Sequence, residues 1–129
     1  MRARIDTKRT VRGPVPRVPF EDMLQAAFPK GYDLSLVLCG DSLARDLNRT
    51  HRKKTYAANV LSFPLSKMEG EVFLNVRAAS REARAFGVSQ RARLALLFVH
   101  GLMHLRGLSH GRTMKGEERR ILRTFGLDS

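Results

Sequence analysis

Three of the four histidines in this chain fall within eleven residues, in the order His100-Gly-Leu-Met-His104-Leu-Arg-Gly107-Leu-Ser-His110. Residues four apart on a helix share a face with Cβ atoms about 6 Å apart, so His100 and His104 can offer two imidazole nitrogens to one ion. Gly107 can take a positive φ, end the helix and let the turned chain bring His110 back as a third ligand. Zinc held by three nitrogens keeps a fourth position open and can lower the pKa of a water there to about 7. Imidazole also suits copper, iron and nickel, so the pattern implies a metal more firmly than it implies zinc. One histidine on an apolar helix is ordinarily a satisfied core residue. Three with this intervening glycine are better read as a metal site.

The spacing H-x-x-x-H-x-x-G-x-x-H is the ligand arrangement of metzincin proteases. There a glutamate follows the first histidine and acts as general base, whereas here that position is Gly101. Peptide hydrolysis by that route has no base. A glycine inside a helix costs about 1 kcal/mol relative to alanine. At Gly101 and Gly107 that loss makes sense where substrate or ligand approaches the backbone, and tight helix packing is the alternative at Gly101.

The elements that must position these residues follow from periodicity and punctuation. Arg2 to Val11 reads as an edge strand, and Pro19, Glu21 and Asp22 as the first turn of a helix through Phe28. Asp33 to Cys39 is a buried strand, after which Asp41 and Ser42 are candidate caps for a helix carrying Leu43 and Leu47. Asn59 to Phe63 and Glu71 to Leu74 read as strands separated by a polar loop with Gly70. Asn75 caps a helix ended by Gly87, and Ser89 caps Arg91 to Arg106, apolar on nearly every side and so a central buried helix. Thr113 caps Met114 to Phe125, with Gly126 beyond its end. The order β-α-β-α-β-β-α-α-α predicts an α+β fold, with a mixed sheet of about four strands packed with about five helices. The central buried helix carries the histidines.

At 129 residues with 43% hydrophobic content the chain fits one domain spanning 1–129. The longest apolar run, Leu94 to Val99, is far short of the roughly 20 residues that span a membrane, and no membrane partner is expected. The single cysteine, Cys39, excludes an internal disulfide or a Cys-rich zinc ribbon and fits a reducing, cytoplasmic setting. Twenty-four Lys and Arg against twelve Asp and Glu give +12, spread along the whole chain, which points to a polyphosphate partner such as RNA, DNA or the ribosome.

On these residues the chain resembles a known family. His100 to His110 is similar to the signature H-G-x-L-H-L-x-G-Y-D-H of the YbeY endoribonucleases. A separate block, Leu47-Asn-Arg-Thr-His-Arg52-Lys-Lys-Thr-Tyr-Ala-Ala-Asn59-Val-Leu-Ser-Phe-Pro64, resembles that family's L-N-x-x-Y-R-x-K-D-x-P-T-[DN]-V-L-S-F-P. Gly70 to Leu74 and Met114 with Glu118, Ile121 and Leu122 also fall in the family's order. The resemblance implies one zinc per chain on His100, His104 and His110, no small-molecule cofactor, and a functional Arg52. A guanidinium can hold phosphate bidentately and stabilise the charge of a phosphoryl transition state. Lys53 and Lys54 extend the basic cluster and could hold an RNA strand. The implied activity is cleavage of single-stranded RNA in rRNA 3′-end maturation and ribosome quality control, with rRNA and the ribosome as partners. A non-catalytic, zinc-containing RNA-binding assembly factor is the rival. The chain departs from the pattern at Ser109 for Asp, Leu108 for Tyr, Ala58 for Thr and His51 for an aromatic. Loss of that Asp would weaken metal binding or activity if it orients a ligand or a water. His51 is a candidate fourth ligand or base, and Leu94, Leu97, Phe98 and Leu105 are expected to be packing only.

Overall fold

A computed structural model describes residues 2–108 and 110–128, so Ser109 and the question it raises lie outside the described residues. The elements run β1 (Arg4–Arg9), α1 (Phe20–Ala27), β2 (Asp33–Cys39), α2 (Asp41–Arg52), β3 (Val60–Ser66), β4 (Glu69–Asn75), α3 (Val76–Phe86), α4 (Gln90–Leu105) and α5 (Arg112–Thr124). The four strands form one mixed sheet in the order β1-β2-β4-β3. β1, β2 and β4 are parallel, and β3 runs antiparallel to β4 along the far edge. The α+β class, the strand number and the helix number match the expectation, and β1 is indeed an edge strand.

Side-chain alternation along β2 and β4 sorts the helices. Leu34, Leu36, Leu38, Val72 and Leu74 join the main core with residues of α1, α3, α4 and α5. The opposite face carries a smaller cluster of Val37, Cys39 and Ala44, with Leu43 of α2, Ala57 and Phe73 packed against it. Helix α4 is the centre of the main core, with Leu94, Leu97, Phe98, Leu102 and Met103 all buried. Positions 93, 96, 100 and 104 break that burial at helical spacing along one side, as does Leu105 at the helix end. His100 and His104 therefore lie on the less buried side of the helix, near its C-terminal end.

Several boundaries differ from the sequence reading for local reasons. Gly70 lies inside β4, not in a loop, because Lys67 and Met68 make the turn. A Cβ on Gly70 would sit 2.3 Å from the Tyr32 hydroxyl and 2.9 Å from Leu105, so glycine lets the end of α4 approach the sheet. Neither Asp41 nor Ser42 caps α2: Gly40 holds the N-cap position, and Asp41 instead pairs with Arg81 and Asn75. The two hydrogen bonds from the Arg81 guanidinium hold the Asp41 carboxyl down at about 2. Thr113 does not cap α5, which starts one residue earlier after Gly111. Asn75 and Ser89 do cap α3 and α4, accepting from backbone N–H groups of Arg77 and Ala78 and of Ala92. Among the described residues, no helix is long and apolar enough to cross a membrane.

Gly101 is explained by packing against β3, not by a ligand reaching the backbone. A Cβ there would fall 2.9 Å from Ser62 Oγ and 3.1 Å from Val60 Cγ2, and the Ser62 hydroxyl donates to the Gly101 carbonyl at 2.9 Å. In Gly101→Ala, overpacking of about 1–3 kcal/mol plus a lost hydrogen bond of about 1 kcal/mol outweighs the roughly 1 kcal/mol gained in helix propensity. The variant should unfold at lower urea with a net loss of about 1–3 kcal/mol, and an unchanged or raised midpoint would reject this account of Gly101.

Candidate metal centre and its groove

Helix α4 ends at Leu105, and Gly107 follows with φ +83°, a conformation only glycine adopts without strain. Its N–H donates to the His104 carbonyl at 2.9 Å, and Leu108 N–H to the Met103 carbonyl at 3.0 Å, so the chain folds back over the helix end. One ligand atom from each of His100, His104 and His110 then lies within 4.8 Å of the other two. Ring centroids are 4.7 Å apart for His100 and His104, 5.1 Å for His100 and His110, and 5.3 Å for His104 and His110. The structure thus brings together the three histidines singled out in the sequence. His51 stands outside this group: its ring packs on Phe63, with centroids 5.0 Å apart.

Glu118 is a residue of the site that the sequence reading assigned no task. It sits on α5 and is only 9% exposed, with Oε2 2.6 Å from His100 Nδ1. An ionised carboxylate can only accept, so Nδ1 carries the proton and donates it, which leaves the His100 Nε2 lone pair free. His100 Nε2 and His104 Nε2 are 3.1 Å apart. A tetrahedral ion with Zn–N bonds near 2.05 Å would separate two ligand nitrogens by roughly 3.3 Å. The donor set and its spacing therefore fit one such ion held by Nε2 of His100 and His104, with a ring nitrogen of His110 within reach. Burial, and then the neighbouring His100 and His110, lower the pKa of His104, which favours the neutral form that a metal ligand needs.

The partnership makes a direct prediction. Glu118→Gln keeps the shape but removes the carboxylate that fixes the tautomer, and losses of this kind weaken metal binding about 10- to 100-fold. Metal titration monitored by competition with a chelating dye would read the shift. An affinity equal to wild type would deny Glu118 its orienting role.

The histidines line an open groove of about 800 Å³. It runs beside β3, the sheet's outer strand, and is lined from α2 by His51 and Arg52, from the following loop by Tyr56 to Asn59, and from α3 by Arg81 and Glu82. Arg52, in the last turn of α2, is exposed and forms no ion pair among the described residues, leaving its guanidinium available. It is close enough to lower the His104 pKa slightly, after burial and the two neighbouring imidazoles. Lys53, in the left-handed conformation at φ 55°, and Lys54 are exposed where α2 ends but do not line the groove.

Two fully buried asparagines pin the loop between α2 and β3. Asn48 donates to the Tyr56 carbonyl at 3.0 Å, and Asn75 donates to the Ala58 carbonyl at 3.1 Å. Asn59 closes the set: its carbonyl accepts from Asn75 N–H at 2.9 Å and its amide donates to Glu82 at 3.1 Å. A buried polar side chain is tolerated when its partners are fixed, and here the fixed partner is the groove wall.

A mixed sheet backing a buried helix, with three convergent imidazoles near its end and a polar groove in front, is the arrangement a metal-dependent hydrolase requires. Comparison with known proteins narrows the class. The family model described as Endoribonuclease YbeY matches residues 14–126, and the chain belongs to this family. Proteins named Endoribonuclease YbeY are 38% identical in Helicobacter pylori strain Shi470, over 73% of this chain and 72% of theirs, and 36% identical in Nautilia profundicola, over 75% of both. The one from Geobacter metallireducens is 34% identical over 78% of this chain and 73% of its own. A solution structure from Thermotoga maritima superposes with a TM-score of 0.67 at 18% identity, covering 95% of this chain and 90% of that one, and so shares the fold.

Proposed function

We propose that this protein is a zinc-dependent endoribonuclease that cuts single-stranded RNA, with His100, His104 and His110 as the metal ligands. The observation that carries the reading is the meeting of three imidazoles, two of them with Nε2 atoms 3.1 Å apart, in a groove that Arg52 also lines. Bound there, zinc would polarise a phosphate oxygen and lower the pKa of water. Arg52 binds the scissile phosphate through paired N–H donors and stabilises the negative charge that grows on it. Glu118 holds His100 in the metal-binding tautomer. Lys53 and Lys54 hold the neighbouring phosphates of the strand at the end of α2.

Membership of the YbeY family supports RNA as the substrate, and the charge of +12 supports a polyanion. From the family resemblance we assign the activity to rRNA 3′-end maturation and ribosome quality control in the cytoplasm, within one domain of residues 1–129. Among the described residues no fourth His, Cys, Asp or Glu joins the three histidines, which favours a reactive metal over a structural one. The test is cleavage of an end-labelled single-stranded RNA by protein stripped with chelator and then reloaded with zinc. Cleavage should vanish on stripping and return on reloading. Protein that binds zinc and RNA yet leaves the strand intact would instead be an assembly factor.

A further inference from the structure

Tyr56 is 55% exposed, although it lines the same groove as the histidines and Arg52. Unlike the exposed Leu65 and Phe86, which do not line the groove, Tyr56 offers its ring where the histidines and Arg52 converge. Its backbone is not free to follow the ring into solvent, because buried Asn48 holds the Tyr56 carbonyl and Asn75 fixes the chain two residues on at Ala58. The loop thus presents an aromatic face at a fixed place on the groove that Arg52 also lines. His51 and Phe63, packed on each other, continue the same wall.

We infer that Tyr56 is a stacking platform for an unpaired nucleobase of the RNA strand in the groove, and that it sets the preference for single strands. This rests on the ribonuclease reading above and adds the residue that selects among RNAs. Arg52, Lys53 and Lys54 recognise phosphate, which single and double strands both carry, so they cannot discriminate between them. A flat ring can, because an unpaired base offers an open π-face, whereas a base inside a duplex has both faces covered by its neighbours. A polar groove with the Arg52 guanidinium on its wall does not fit an apolar protein partner, and the net charge of +12 favours a nucleic acid.

The chain contains no tryptophan, so Tyr56→Trp supplies a single fluorescent reporter at this position. Rapid mixing of the zinc-loaded variant with single-stranded RNA should quench its emission before cleavage, whereas the matched duplex and a ribose-phosphate strand with abasic sites should not. Tyr56→Ala should weaken single-strand binding and raise KM roughly 5- to 150-fold, leave duplex binding unchanged and so erase the preference. Tyr56→Phe should behave as wild type, since the ring and not the hydroxyl does the stacking. Equal unfolding midpoints for all three variants would show that the fold is intact. Should Tyr56→Ala bind and cleave single strands as well as wild type, or the abasic strand quench as strongly as RNA, the platform is refuted while the nuclease reading stands. Quenching without any cleavage by wild type would keep the platform and reject the nuclease. Wild type that binds no RNA would overturn both.

Discussion

His104→Ala is expected to lose bound metal and RNA cleavage together while keeping its fold. The side chain is exposed at the last turn of α4, where its replacement opens no cavity in the core and alanine is the better helix former. What it removes is one of three nitrogens within 4.8 Å of each other, leaving His100 and His110 as an incomplete pair. Metal catalysis contributes several kcal/mol of transition-state stabilisation, and each 1.36 kcal/mol is a factor of ten, so the rate should fall by about 10³ or more. Metal content after gel filtration, an unfolding curve and end-labelled RNA cleavage together separate the outcomes. Retention of stoichiometric zinc with full cleavage would remove His104 from the site.

Arg52→Ala should give the complementary result, keeping the metal and losing the reaction. Arg52 sits in a different element from the ligands and lines the groove without touching an acidic partner among the described residues, so nothing structural depends on its charge. Loss of one donor aimed at developing charge typically lowers kcat about 10²- to 10³-fold. Arg52→Lys should recover only part of that, because an ammonium cannot reproduce the paired, planar donors of a guanidinium. Zinc content should match wild type in both variants. A fall confined to KM, with kcat intact, would make Arg52 a binding residue only.

The histidine triad was legible because its geometry is local: a helical i, i+4 pair and a glycine that must adopt φ +83° lie within one short segment. The same is true of β2, of the Asn75 and Ser89 caps and of the Gly87 stop, each decided by its near neighbours. Glu118 was not legible as an orienting group. Its one visible sign was an acidic residue in the apolar register of Met114, Ile121 and Leu122, and its partner lies eighteen positions away on another helix. Asp41 misled for the same reason, since a residue typed as a helix cap is claimed by Arg81, forty positions on. Gly70 looked like a turn because only the folded chain shows Tyr32 and Leu105 occupying the space of its missing side chain.

The contact between Gly101 and β3 also bears on how this scaffold can change by mutation. The position where metzincins carry their glutamate is here pressed so closely on Ser62 and Val60 that even a methyl group collides. A single substitution to Glu would disrupt the sheet–helix seam before it could supply a proton acceptor. Reaching a peptidase from this chain would require β3 and α4 to move apart first, through intermediates that lose stability and gain no new chemistry. The seam therefore works as an evolutionary barrier, separating two chemistries whose ligand patterns differ by little more than one letter.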